Sequence, residues 1–232
     1  MDYPHSYRFV DDAIIGRRSI RAYLDRPVSK EIVSDILDVA RRAPSGTNMQ
    51  PWRVHVLTGE FRRAVCAKVE AAFLDPAVNA QHSEDYAYYP EKWFSPYLER
   101  RRTVGFALYG LLGIAKGEKE KMQAQHARNF RFFDAPVGLI FTVDRRLAIG
   151  SWIDYGMFMQ NVMVAARARG LDTCPQAAFA QFHRILTEEL SLPENEQVVC
   201  GMSLGYADPA APENTLVTDR EPVEAFTRFI GY

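Results

Sequence analysis

The sequence predicts an α+β or α/β sandwich built around one sheet. Three observations carry this. Strand-like and helix-like segments alternate along the 232 residues. Val137 to Val143 is a near-continuous apolar run of strand length, which suits a strand buried on both faces. Ser151 to Arg169 is helical in pattern but apolar on nearly every side, as in a helix that is central or packed at a subunit interface.

The elements follow in order. Phe9 to Ile15 reads as a short amphipathic helix closed by Gly16. Pro27 then breaks the chain, and Ser29 is a suitable N-cap for a helix from Lys30 to Arg42. There Ile32, Val33, Ile36, Leu37 and Ala40 share one face, and Pro44 stops the helix. Arg53 to Thr58 alternates like a half-buried strand, and Glu60 to Leu74 reads as a further helix. Residues 75–135 are rich in aromatic and basic side chains, and a mobile helical excursion is expected rather than sheet. After the helix that Gly170 ends, Gln181 to Leu190 reads as a helix and Val198 to Tyr206 as a strand. From Ala207 onward, Pro209, Pro212 and Pro222 predict an extended arm with a short final helix.

Composition narrows the function classes. A length of 232 residues suits one domain or two small ones, and 47% hydrophobic residues argues against disorder. A net charge of -1 lacks the basic excess expected of a nucleic-acid binder. Cys66, Cys174 and Cys200 are widely spaced and odd in number, which fits a reduced cytoplasmic protein better than a disulfide scaffold. Met1 to His5 lacks the pattern of a signal peptide, and the uncharged stretch from Thr103 to Ala115 is too short to span a bilayer. The histidines at 5, 55, 82, 126 and 183 show no zinc-binding spacing. Neither a P-loop nor the dinucleotide glycine fingerprint is present.

Two stretches point to a phosphate-bearing cofactor. Arg17-Arg18-Ser19-Ile20-Arg21 concentrates three guanidinium groups and a hydroxyl in five residues. Guanidinium forks match phosphate oxygens in pairs, and each charge-assisted bond is worth about 1.5–3 kcal/mol. The competing reading is three solvated charges paired with Asp11, Asp12 and Asp25. Pro44-Ser45-Gly46-Thr47-Asn48-Met49-Gln50-Pro51-Trp52 is either a set of self-bonded turns or a ligand loop between helix and strand. Cys174-Pro175-Gln176-Ala177-Ala178-Phe179 is a third candidate, whose backbone amides after Pro175 are natural ligand contacts. Cys174 itself reads as a buried structural thiol rather than a nucleophile, since no base is near in sequence. The aromatics from Tyr86 to Tyr97 either fill a core or stack on a flat ring.

The order and spacing of these stretches resemble the FMN-dependent nitroreductase family. The similarity continues through Asp134-Ala135-Pro136-Val137, Gly156-Met157-Phe158-Met159-Gln160-Asn161, Gly170 to Ala177, and Leu204-Gly205-Tyr206. It covers nearly the whole chain, and residues 75–130 match least. The resemblance implies one domain over residues 1–232 with a three-layer sandwich around a mostly antiparallel central sheet. It also implies an intertwined homodimer with a C-terminal arm and FMN at the subunit interface. Arg17, Arg18, Ser19 and Arg21 would hold the phosphate, with Arg220 from the arm completing the anion site. Pro44, Ser45 and Asn48 would reach the flavin from the other subunit. The backbone around Pro175, Gln176 and Ala177 would face the isoalloxazine edge, and Asn129 touches the same ring in a looser match.

Several bacterial members carry an acidic residue followed by glycine where this chain has Gln176-Ala177, so substrate and redox tuning depart from that pattern. The implied activity is a ping-pong cycle: NADH or NADPH reduces the flavin, and a flat acceptor such as a nitroaromatic is reduced in turn, with no protein acid–base pair required. Tyr88, Tyr97 and Arg101 are candidate lid contacts, Arg101 for a substrate carboxylate. Alternatives on the same fold are dehalogenation of the iodotyrosine deiodinase type, quinone or enone reduction, and flavin destruction. A non-catalytic flavin-binding protein and an anion-binding interaction module are rivals from other classes.

Overall fold

A computed structural model describes residues 6–232, with side chains from Arg8 onward. Met1 to His5, including His5 and the stretch that lacks a leader pattern, lie outside the described residues. The elements run α1 (Ser6–Gly16), α2 (Lys30–Ala40), β1 (Arg53–Thr58), α3 (Gly59–Leu74), α4 (Pro76–Asn79), α5 (Tyr97–Leu111), α6 (Lys119–Ala127), β2 (Val137–Asp144), α7 (Ile149–Arg167), β3 (Asp172–Gln176), α8 (His183–Glu189), β4 (Glu196–Gly205) and α9 (Val223–Phe226). Ser29 caps α2 as expected, its hydroxyl accepting from the Ile32 amide at 3.3 Å.

The sheet has the order β1-β2-β4-β3, and every neighbouring pair is antiparallel. β2 is buried along its length, so successive side chains feed two different cores. Val137, Leu139, Phe141 and Val143 face the layer that holds α2 and α7, where they pack among Val33, Ile36, Phe158 and Val162. Ile140 faces the opposite layer, with Val65 and Val69 of α3 and the rings of Phe130, Phe132, Phe179 and Phe182. The result is three layers, with the sheet between two sets of helices.

One packing detail fixes the second layer. The rings of Phe132 and Phe179 stack with centroids 4.4 Å apart and lie flat on the sheet. A side chain on Gly138 would begin 2.4 Å from Phe132, and one on Gly201 would begin 2.3 Å from Phe179. Only glycine lets rings approach the strands this closely. The price is local: Phe132, Phe133 and Asp134 all hold positive φ, at 54°, 52° and 66°. Burial of both phenylalanines over-determines that strained run.

The structure departs from the sequence reading at three places. Asp172–Gln176 is a strand, although it carries Pro175 and no apolar alternation. The expected helix from Gln181 begins as a 3₁₀ segment, Ala177–Phe182, before α8. Residues 75–135 are helical as expected, but Tyr88, Tyr89, Phe94 and Tyr97 are exposed in this chain and fill no core. Tyr86 alone of that group is tied down, donating to the Val199 carbonyl.

Candidate functional site

The arginine segment runs as an extended strip along the outer edge of β3. Ile20 is its anchor: the side chain is 1% exposed, and its amide donates to the Thr173 carbonyl at 3.1 Å. Ser19 forms an isolated parallel bridge with Thr173. Around the inward-facing Ile20, Arg17, Arg18, Ser19 and Arg21 are half-buried. Tyr23 locks the strip from beneath. Its buried hydroxyl donates to the Ile20 carbonyl at 3.1 Å and shares a 2.8 Å hydrogen bond with Ser203 of β4.

This packing brings the first and third sequence motifs together. Burial pushes the Cys174 thiol above its ordinary value, against the opposing pull of Arg21, the Ser19 hydroxyl and Arg17. A thiol so held is protonated at neutral pH and is no nucleophile, as the sequence suggested. None of the three guanidiniums forms an ion pair with a carboxylate of the described residues. Arg17 touches the Met163 sulfur at 4.0 Å, Arg18 donates to the Asn214 carbonyl at 2.9 Å, and Arg21 donates to the Ser19 carbonyl at 3.1 Å. The expected pairing with Asp11, Asp12 and Asp25 is therefore absent, because the strip faces β3 and the C-terminal segment.

Buried polar atoms without partners mark the same strand. Gln176 is 2% exposed; its Nε2 donates to the Asn129 carbonyl at 2.6 Å, and its Oε1 has no partner. Thr173 Oγ1 is likewise buried and unpaired. Such atoms are uncommon in a finished core and fit a site that a polar ligand completes. Clustered cations that form no close ion pair among the described residues, beside unsatisfied polar atoms, suit a phosphorylated heteroaromatic group of the FMN type.

The second motif lies elsewhere in the chain. The loop from Pro44 to Trp52 is fastened to α7 by Asp154, a buried carboxylate that accepts from the Gly46 amide at 3.0 Å. The Ser45 hydroxyl accepts from the Gln50 amide, and Thr47, Asn48 and Gln50 hold positive φ of 48°, 60° and 50°. The loop enters β1 at Arg53, which pairs with Thr142, itself opposite Val198; Thr173 lies opposite Leu204. These registers put the loop and the arginine strip at diagonal corners of the sheet, about 19 Å apart across the strands and about 20 Å along them.

The remaining predicted contacts are scattered in the same way. Arg220 is exposed and bonds Thr218 and the Asp219 carbonyl within its own turn. Tyr88 and Tyr97 are exposed, and the Arg101 guanidinium rests 4.7 Å above the Trp93 ring with no carboxylate partner among the described residues. Sequence reasoning missed two buried polar residues, Asn214, which contacts the arginine strip from nearly two hundred positions away, and Glu213, which reaches it through Arg128. It also missed Asp154, whose place on an apolar helix was the available signal.

Comparison with known proteins bears on these features directly. The profile described as the Nitroreductase family matches residues 14–206, from the end of α1 to the end of β4. The chain belongs to the nitroreductase family. Among curated nitroreductases, it is 44% identical over 222 residues to the 4-nitrobenzoate reductase of Pseudomonas putida, covering 96% of each chain. It is 46% identical over 223 residues to the nitrobenzene nitroreductase of Ectopseudomonas oleovorans, covering 96% of this chain and 97% of the other. A crystal structure of the FMN and NADPH-dependent nitroreductase NfnB from sphigopyxis sp. strain HMH superposes with a TM-score of 0.92 at 36% identity, covering 96% of this chain and 99% of that one. The nitroreductase sandwich and its antiparallel sheet are thus shared along nearly the full length. No helix of the described residues is long and apolar enough to cross a membrane.

Proposed function

We propose that this chain is an FMN-dependent NAD(P)H nitroreductase that acts as a cytoplasmic homodimer on flat nitroaromatic acceptors. The observation that carries the reading is the strip of guanidiniums, without a close carboxylate partner among the described residues, lying against a strand whose Gln176 Oε1 and Thr173 Oγ1 are buried and unpaired. Arg17, Arg18, Ser19 and Arg21 bind the phosphate, and Arg220 of the arm joins them. Pro175, Gln176 and Ala177 present backbone to the ring edge. Bound FMN supplies the hydride chemistry at its N5, so the protein needs no acid–base pair. The named activities of the Pseudomonas and Ectopseudomonas relatives support a nitroaromatic acceptor.

The diagonal separation of the two motifs supports a dimer. One mononucleotide does not reach from the arginine strip to the Pro44, Ser45 and Asn48 loop of the same chain, whereas a partner subunit can present its loop. Ile149 and Ile153 of α7 are 78% and 66% exposed, and Phe229 and Ile230 of the arm are also bare, which suits burial against a second copy. In this reading residues 1–232 form one FMN-binding domain, and residues 75–130 form a lid with Tyr88, Tyr97 and Arg101 on its substrate side.

The test is spectroscopic. The purified protein is expected to be yellow, to bleach anaerobically with NADPH, and to recover colour on addition of a nitrobenzoate. A colourless protein that takes up no added FMN ends the proposal. Recovery with a halotyrosine or a quinone but with no nitroaromatic redirects it to another reductive activity.

A further inference from the structure

The arginine strip is held by a segment outside the family match, and that segment carries chemistry of its own. Asn214 sits in the 3₁₀ turn Pro212–Thr215, beyond residue 206 where the family profile ends, and is 7% exposed. Besides the bond from its backbone amide to the Ala211 carbonyl, four hydrogen bonds converge on it. Its Oδ1 accepts from the Arg21 backbone amide at 2.8 Å, and its Nδ2 donates to the carbonyls of Ala22 at 2.8 Å and Asp208 at 2.9 Å. Its own carbonyl accepts from the Arg18 guanidinium at 2.9 Å. The amide fits in only one orientation, because two carbonyls face one side and an N–H faces the other.

Glu213 extends the same brace. It is 4% exposed and accepts from Arg128 Nη1 at 2.5 Å, while Arg128 Nη2 donates to the Arg21 carbonyl at 2.9 Å. Both backbone polar groups of Arg21 are therefore fixed by side chains, one from Asn214 and one from Arg128. A β-strand would meet those groups with another strand; here they are met by a dedicated pair of buried side chains.

We propose that Asn214, backed by the Glu213–Arg128 pair, is the positioning residue of the phosphate site. It sets the register of Arg18 and Arg21 and so makes the protein select a phosphorylated flavin over an unphosphorylated one. The inference rests on the FMN reading above, but addresses which residue holds the anion-binding groups in place rather than which groups touch the anion. Bidentate recognition by guanidinium needs a fixed fork, and a loosened strip keeps its charge but loses its geometry.

The experiment compares two probes on the full-length chain stripped of flavin. FMN and riboflavin are titrated separately against wild type and Asn214→Ala, with affinity read from flavin fluorescence. Wild type is expected to prefer FMN strongly. Asn214→Ala is expected to lose about tenfold or more in FMN affinity with riboflavin affinity unchanged, so the ratio of the two falls. A general loss of structure would lower both affinities together and leave the ratio intact; that result overturns the proposal. A wild type that does not distinguish the two flavins overturns it together with the cofactor reading. Should the alanine variant fail to fold, Asn214→Ser decides by the same ratio, since it keeps a small polar side chain but cannot span to Arg21, Ala22 and Asp208 at once.

Discussion

The Gln176 side chain donates to the Asn129 carbonyl at 2.6 Å, joining β3 to the segment that follows α6. This bond is one of the few direct ties between the candidate flavin edge and the end of the 75–130 excursion. Gln176→Leu keeps the approximate volume and removes the donor from a partly buried carbonyl. A loss of about 1–3 kcal/mol is expected in urea unfolding of the variant. An unchanged midpoint and slope would show that the bond contributes nothing.

A second polar cluster governs the response to acid. Glu196 is buried; burial acts to raise its pKa, but hydrogen bonds from Thr142 at 2.6 Å, Arg53 at 2.5 Å and His55 at 3.3 Å outweigh it and hold the carboxyl below its ordinary value. A depressed native pKa gives stability that is complete above the unfolded value, about 4.3, and is lost as pH falls through the native one. Wild type is therefore expected to lose stability on acidification below about pH 4.3 more steeply than Glu196→Gln. Urea midpoints of both proteins across that range make the comparison, and parallel curves would exclude Glu196 as a source of acid sensitivity.

Gly201→Ala tests the aromatic layer. The added methyl would lie 2.3 Å from the Phe179 ring, so ring or strand must shift. A cost of about 1–3 kcal/mol is expected from overpacking. Combining it with Phe179→Leu should cost less than the two single changes together, because the clash is then relieved. Strict additivity in thermal melts would mean that the ring is free to move aside.

Arg101 offers a handle on substrate choice. Its guanidinium is parked over Trp93 with no acidic partner among the described residues, while neighbouring Arg100 is paired with Glu221 at 2.8 Å. If the lid closes over a carboxylated acceptor, Arg101→Gln should raise KM for 4-nitrobenzoate about tenfold, the worth of one charge-assisted bond, and leave nitrobenzene unaffected. Equal changes for both acceptors would remove Arg101 from the substrate contacts.

Much of this architecture could be read along the chain, for identifiable reasons. β1 ran as expected over Arg53–Thr58 because its alternation is the signature of a half-buried strand. α2 was legible from Ser29 and from the apolar stripe of Val33, Ile36 and Ala40. β2 was legible because burial on both faces demands an unbroken apolar run. β3 was not, since an edge strand tolerates Asp172, Thr173 and Pro175 and its identity comes from pairing with β4. At the site, the arginines were visible as a cluster of like charges, whereas the brace from Glu213 and Asn214 had no local pattern. Side chains that act across such a sequence distance are chosen by tertiary contact, which single-chain periodicity does not encode.

The diagonal placement of the two binding motifs has a genetic reading. If a partner subunit completes each pocket as proposed, a protein carrying Arg17→Ala damages one end of every pocket, and a protein carrying Asn48→Ala damages the other. When the two are unfolded together and reassembled, a mixed pair concentrates both lesions in one pocket and leaves its twin intact. Yellow colour should therefore return to a blend of two pale mutants, a rescue that self-contained pockets could not give and that absorbance at the flavin band would report.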